Sequence, residues 1–380
     1  MRRRRLLAAG FSSCAASWVP RAFAADAGVS ERSILFGQSA VLSGPLGVSM
    51  KAFNAGAALV FDEINAHGGI AGRQLRLVSL DDGLKPEVAA ANYKALLAEH
   101  GVFGFFGGVG SGTVAAATPI LRESNAPLIG NYALSDAVRE KARGAAYFVR
   151  AHYGREAEKL VQHLATIGNT RIGVAHLANP GGEEVLALVR KAIAAEGKAG
   201  DVVASAAVKN DGSNVVEAAR SLAASSAQAV IMFLSGPPVA ELMKTMLAAG
   251  ASPSFYGMSV VAGDQVAKTL GDRMRGLAIS QVVPYPWADA DASARGYRER
   301  CAAAHIAPDY TGYEGYINAL VLVEALRRAG REVTRASLHA TMRSLKARIA
   351  GMDVDFSGSS PTGSRFVDLV HVSPDRGFRR

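Results

Sequence analysis

The chain has 380 residues, 42 Lys+Arg against 33 Asp+Glu for a net charge of +9, 49% hydrophobic and 20% charged residues, and two cysteines. That length fits two domains and can bury a large core without disulfides or metals; with 40 Gly and 14 Pro the composition is neither collagenous nor disordered. The basic balance points to nucleic acid or an anionic membrane, but only until the N-terminus is read.

Met1-Arg-Arg-Arg-Arg5 is a cationic head, Leu6 to Val19 is mostly apolar or small, and Ala22-Phe-Ala24 supplies the small-x-small pattern of a signal-peptidase site. The apolar run is shorter than the roughly 20 residues needed to span a bilayer, so residues 1–24 read as a cleavable export signal. Both the twin-arginine and the general route are compatible with it. Phe11-Ser-Ser-Cys14 resembles a lipoprotein box only weakly. Removing residues 1–24 takes away five arginines and no acid, so the charge falls from +9 to +4. No basic cluster with interleaved aromatics remains, which argues against nucleic acid. Cys14 leaves with the signal, and Cys301 then has no intramolecular partner; in its Ala-rich helical stretch it reads as a small buried apolar residue.

From Ser33 onward short apolar runs alternate with segments of helical period, the pattern of an α/β fold. Strands are expected at Ile34–Ser39, Gln74–Leu80, Val102–Gly107 and Pro127–Gly130. Between them run a helix with Ala52, Gly56, Leu59, Val60 and Ile64 on one face, a helix from Pro86 to about Glu99, and a helix over Gly112–Glu123. The rhythm restarts with strands at Arg171–His176, Val202–Val208, Ala229–Leu234 and Phe255–Gly257, separated by helices near Gly182–Glu196, Ser213–Ala224 and Val239–Ala249. A strand at Leu277–Val283 precedes helices near Ala290–Ala304, Tyr313–Ala329 and Arg335–Leu345, and strands at Asp353–Phe356 and Arg365–Val372 close the chain. Strands joined through helices imply right-handed crossovers and parallel sheets, here twice over.

Ligands of such sheets bind outside the carboxyl ends of the strands. The loops this rule selects are 40–50, 107–113, 131–136, 177–183, 235–238 and 258–263, rich in Gly, Ser, Thr and aromatic residues. Gly107-Gly-Val-Gly-Ser-Gly112 follows a strand and opens a helix, but its spacing is not G-x-G-x-x-G and no Walker lysine follows. Its better use is to offer the amides at Ser111, Gly112 and Thr113, with two hydroxyls, to a carboxylate or another small polar group. No histidine pair has metal spacing and no G-x-S-x-G elbow is present, so no metal, cofactor or catalytic residue is expected. Asp81-Asp82 ends a strand before Gly83 and reads as capping rather than as a catalytic pair. Tyr132, Tyr153, Tyr285, Trp287 and Tyr313 are the aromatics expected near the cleft, with packing and ligand stacking both open; Tyr132 is the foremost ligand contact among them.

These features converge on a family. Gly37-Gln-Ser-Ala-Val-Leu-Ser-Gly-Pro45, Asp62-Glu-Ile-Asn-Ala-His-Gly-Gly-Ile-Ala-Gly72, Leu80-Asp-Asp82, Gly107–Thr113, Glu314-Gly-Tyr-Ile-Asn-Ala-Leu320, Val354-Asp-Phe356 and Gly363-Ser-Arg-Phe366 resemble the branched-chain amino acid-type (Leu/Ile/Val-binding protein-like) substrate-binding proteins of ABC transporters, which are type I periplasmic binding proteins. The resemblance implies two doubly wound parallel-sheet lobes joined by three crossover segments, with ligand trapped between them by hinge closure. Crossovers near Phe148–Tyr153, Val282–Pro286 and Ile349–Asp353 assign residues 30–148 and 287–349 to lobe 1 and residues 149–286 and 350–380 to lobe 2. It also implies a non-enzymatic, periplasmic monomer that delivers a small solute to permease and ATPase subunits at the inner membrane. The rival readings are a ligand sensor for a receptor or regulator, a branched-chain amino acid binder and, last, a secreted α/β hydrolase.

Carried over by position, Ser49 falls at a lobe 1 cleft residue that is often aromatic. Ser111 matches the serine that meets the ligand carboxylate, with backbone support near Tyr132 and Ala133. Leu134 replaces a hydroxyl residue for which Ser135 can substitute. In lobe 2, Gly181 and Ser235 stand where tyrosines are usual, and Ser259 stands at about the position of the acid that pairs with a ligand ammonium; a shift of the alignment would put Asp264 there instead. Without that acid a buried ammonium costs several kcal/mol. The expected ligand is therefore an aromatic or aliphatic carboxylate or an amide-like compound rather than a standard α-amino acid.

Overall fold

The computed structural model describes residues 26–380 except 45–46, 133, 198–199, 262–265, 267–276, 373–377 and 380. The expected signal, Cys14, Ala133 and Asp264 lie outside the described residues. The first segment runs β1 (Ser33–Ala40), α1 (Gly47–Ala66), β2 (Gln74–Asp81), α2 (Pro86–Ala98), β3 (Gly104–Val109), α3 (Ser111–Ser124), β4 (Leu128–Tyr132), α4 (Asp136–Lys141) and β5 (Ala146–Tyr147). These strands form one sheet in the order β2-β1-β3-β4-β5, with every pairing parallel.

The second segment runs α5 (Tyr153–Thr166), β6 (Arg171–Leu177), α6 (Pro180–Glu196), β7 (Asp201–Val208), α7 (Val215–Ala223), β8 (Ala229–Phe233), α8 (Pro237–Ala248), β9 (Ser254–Gly257) and β10 (Leu277–Gln281). The chain then adds α9 (Ala292–Ala303), α10 (Tyr310–Ala329) and α11 (Arg335–Ser344), a hairpin of β11 (Lys346–Ile349) and β12 (Met352–Asp355), and finally β13 (Asp368–Val372) and β14 (Phe378–Arg379). The second sheet has the order β14-β13-β10-β9-β8-β6-β7. It is parallel from β7 to β10, whereas β13 and β14 run antiparallel. The sequence pattern implied parallel pairing for strands joined through helices; β13 is reached from the hairpin and not through a crossover helix, and it pairs antiparallel.

The molecule is thus a two-lobed α/β fold. The chain passes from the first sheet to the second after β5, returns after β10 and crosses again after β12. Helix α10 packs along α1 and against β4, which attaches residues after the second passage to the first sheet. Two passages touch: Phe148 N donates to Pro361 O, and Gly363 N and Ser364 N donate to Phe148 O and Val149 O.

Most expected elements lie within a residue or two of those observed. The pattern assigned nothing to α4 or α5, although Ala157, Leu160, Val161 and Leu164 of α5 are buried at helical spacing. Strand β3 extends through Val109, two residues beyond its expected end, because paired glycines hide extended backbone from an apolar-run criterion. Cys301 is a free, buried cysteine inside α9, as its Ala-rich surroundings implied.

Candidate functional site

A cavity of about 230 Å³ opens between the lobes at the carboxyl ends of the parallel strands. Its first-lobe side is Val41 after β1, Ser49 in the first turn of α1, Leu84 between β2 and α2, Pro86 opening α2, Val109 to Thr113 from the end of β3 into α3, and Tyr132 at the end of β4. Its second-lobe side is Tyr153 opening α5, Leu177 with Asn179 to Gly181 opening α6, Asn210 after β7, Phe233 with Ser235 after β8, and Val260 after β9. None of these described residues is charged. The register Val109↔Tyr132 sets Tyr132 beside the start of α3, and the register His176↔Phe233 sets Phe233 beside Leu177.

Eight residues singled out from the sequence meet here: Ser49, Ser111, Gly112, Thr113, Tyr132, Tyr153, Gly181 and Ser235. Gly110, with φ 91°, precedes α3 without a side-chain cap, so the first-turn amides of that helix have no intrahelical acceptor. Ser111 Oγ accepts from Ser135 N at 3.0 Å, which fixes the hydroxyl at the cavity edge. Thr113 turns its hydroxyl back onto Val109 O and Gly110 O. The Tyr132 ring is buried beside Phe53, with centroids 6.3 Å apart. Burial, and then the nearby Glu314 carboxylate, push its hydroxyl up to about 12. Tyr153 meets Phe233 edge-on at 4.9 Å.

Gly181 faces the other lobe: a Cβ added there would lie 3.2 Å from Ser111 Oγ, so the lobes approach closely at this point. Asn179 starts α6 by accepting from Gly182 N at 3.0 Å and donates to Asn210 at 3.0 Å. Gly182 allows that tight start, since a Cβ there would meet Leu177 O at 1.9 Å.

Ser135 and Ser259 lie outside the lining. Ser135 caps α4, its hydroxyl accepting from Val138 N at 3.2 Å. Ser259 belongs to a buried ionic cluster behind Tyr132. There Arg150, fully buried, pairs with Glu156 and Glu314 at 3.3 Å each and donates to Ser259 Oγ. Its guanidinium stands 5.3 Å above the Tyr132 ring. Glu156 also accepts from Ser259 N at 2.8 Å, Ser259 Oγ at 3.0 Å and Ser280 Oγ at 2.7 Å. Tyr285 and Trp287 pack with Tyr310 and Phe378, and Tyr313 with Tyr297 and Tyr316; none of the three lines the cavity.

Sequence reasoning passed over Leu84, Pro86, Asn210 and Phe233. The rule of carboxyl strand ends would have found the first three had it been applied to the ends of β2 and β7. Among the described residues no group of three or more His, Cys, Asp or Glu is placed to hold a metal, and no helix is long and apolar enough to cross a membrane.

The periplasmic binding protein family model matches residues 33–375, almost the whole described chain. The chain belongs to the periplasmic binding protein family. No curated protein matches the sequence. Among solved structures, a substrate-binding periplasmic protein from Ralstonia solanacearum is 30% identical over 91% of this chain and 99% of its own, with a TM-score of 0.84. A possible leucine/isoleucine/valine-binding protein from Rhodopirellula baltica SH 1 is 25% identical over 92% of this chain and 96% of its own, with a TM-score of 0.85. An extracellular ligand-binding receptor from Verminephrobacter eiseniae is 23% identical over 92% of this chain and all of its own, with a TM-score of 0.85. This binding protein is therefore of the type I, Leu/Ile/Val-binding-like class found in ABC transporters, a class that binds solutes and does not transform them.

Proposed function

We propose that this binding protein captures a small organic carboxylate with an aromatic or aliphatic body, or an amide-like equivalent, and delivers it to the permease and ATPase subunits of an ABC importer. Residues 1–24 act as the cleaved export signal. The moving units are the two lobes, residues 30–148 with 287–349 and residues 149–286 with the chain's end, except that the hairpin of β11 and β12 keeps together and moves with the first, the third passage following β12; the protein works as a monomer. The observation that carries this reading is a cavity whose described lining is uncharged and combines hydroxyls and helix starts with the apolar Val41, Leu84, Val109, Leu177, Phe233 and Val260.

Ser111 and the amides of α3 suit a carboxylate, and the apolar remainder suits a body without further charge. An α-amino acid would bring an ammonium for which no described lining residue is a counter-ion, at a cost of several kcal/mol. The neighbourhood of Ser259 is already occupied by the Arg150–Glu156 pair. Structures that share only the fold were solved with 4-hydroxybenzoate bound, from Rhodopseudomonas palustris at 17% identity, and with valine bound, from Thermus thermophilus at 16% identity. A fatty acid substrate-binding protein from Thermomonospora curvata has the same fold at 19% identity. Both chemistries therefore belong in the test.

The test is a thermal-shift screen followed by calorimetry with benzoate, 4-hydroxybenzoate, hexanoate, benzamide, leucine and valine. A ligand at 100 times its dissociation constant adds about 2.7 kcal/mol of stability. Stabilisation by the carboxylates or the amide is expected. Micromolar leucine or valine binding, with the others silent, overturns the reading.

A further inference from the structure

One cavity wall is made by the turn between β2 and α2, and its backbone is unusual. Leu84 has φ 62°, a region that bulky L-residues rarely adopt and that persists only when the surroundings impose it. Asp82, 1% exposed, imposes it here. Its Oδ1 accepts from Leu84 N at 2.8 Å, its Oδ2 accepts from Ser39 Oγ at 2.9 Å, and its carbonyl accepts from Lys85 N at 2.9 Å.

The side chains of this turn seat on the start of α3. Leu84 Cδ1 lies 2.6 Å from where a Cβ on Gly110 would stand, and Pro86 Cγ lies 3.0 Å from where one on Gly112 would stand. These two glycines of Gly107–Gly112 thus make room for an isobutyl group and a pyrrolidine ring. Both of those side chains line the cavity next to Ser111. A glycine at position 84 would adopt the same φ without strain, but it would leave the cavity open at that point.

We infer that Leu84 is a specificity-determining residue: held by Asp82 against Gly110, its isobutyl group sets, with Pro86, the bulk that a ligand can carry beside the start of α3. This rests on the reading of the cavity as a site for organic carboxylates. The wall is apolar and fixed, so it selects by size more than by charge. One methylene too many or too few in such a pocket changes affinity by about 10- to 200-fold.

The experiment measures dissociation constants for linear alkanoates of rising length and for 4-alkylbenzoates of rising size, with the wild type, Leu84→Gly and Leu84→Asn. Glycine and asparagine both accept φ above zero, so both variants keep the turn. Leu84→Gly is expected to move the preferred ligand to a larger member of each series, changing the ratio between neighbouring members by about tenfold or more. Leu84→Asn is expected to weaken the most apolar members relative to the shortest. If the wild type binds members of the series and both variants keep its rank order, the inference is overturned and the carboxylate reading stands. If neither the wild type nor either variant binds any carboxylate, that reading falls and the inference falls with it.

Discussion

Arg150 is a cation without access to water, and two carboxylates from different lobes share it: Glu156 of α5 and Glu314 of α10. A buried ion pair adds little net stability, but removing one partner strands the other charge. Glu156→Ala leaves Arg150 with Glu314 alone and deprives the Ser259 and Ser280 hydroxyls of their acceptor, so urea unfolding should show a loss of about 3–5 kcal/mol. Glu314 carries a pH dependence. Burial lifts its carboxyl to about 7, Arg150 pulls it back and Glu156 adds to the rise. Because the folded chain holds this proton after the unfolded chain has released it, stability falls as pH rises from the ordinary glutamate range to about 7, and then levels off. Between about pH 5 and about pH 8 the unfolding free energy from urea titration should therefore fall further for the wild type than for Glu314→Gln, by about 2–3 kcal/mol; an equal fall in both would show that Glu314 does not carry the effect. This cluster was not legible in the sequence. Position 259 stood out by comparison with the family, yet its partners, Glu156 and Arg150, lie 103 and 109 residues away and carry no local pattern.

Helices α1 and α10 were legible from their periodicity; the way they cross was not. They touch backbone to backbone. A Cβ on Gly56 would lie 1.7 Å from Gly312 O, and one on Gly315 would lie 1.8 Å from Phe53 O. Glycine costs roughly 0.5–1 kcal/mol within a helix, a cost that this close approach explains. The sequence pattern shows Gly56 only as one member of an apolar helical face. Overpacking a well-packed core costs about 1–3 kcal/mol, occasionally more. With carbonyl groups on the far side and no flexible side chain to yield, Gly56→Ala and Gly315→Ala should each cost about 3 kcal/mol or more, read as a drop in the midpoint of thermal or urea unfolding. A substitution tolerated without a shift in midpoint would mean that the helices can separate. Two of the elements that failed to show in the sequence are short: α4 spans six residues and β5 two, too few for any period to register; α5, with 14 residues, did carry a helical period.

At the scale of the whole molecule, the lobes are joined by covalent passages on one side and by weak polar contacts on the other. The passage side is held by Arg139, fully buried over the Phe148 ring at 5.2 Å. It donates to Arg150 O at 3.0 Å, Ala151 O at 3.3 Å and Thr362 Oγ1 at 3.2 Å, and so ties the first passage to the third. Burial draws its guanidinium down to about 10. The expectation of three crossings was carried by family resemblance, because nothing in the periodicity announces where a chain changes sheets. The cleft side is held differently: Glu184 of α6 reaches across to accept from Ala137 N in the first turn of α4 at 2.9 Å. A carboxylate at a helix start is favoured by the unsatisfied amides and the dipole there, and this contact exists only while the lobes are together. Glu184 is not among the residues lining the cavity, so Glu184→Ala should lower the unfolding free energy by no more than about 1 kcal/mol while loosening the closed state. A single hydrogen bond of this kind contributes about 1 kcal/mol, which predicts a roughly fivefold faster ligand release with an almost unchanged association rate. Stopped-flow dissociation of any ligand found in the screen, measured on the wild type, Glu184→Ala and Glu184→Gln, reads it directly. Glutamine keeps an acceptor for Ala137 N and should recover most of the slow release, whereas equal release rates from all three proteins would assign closure to the cavity contacts alone.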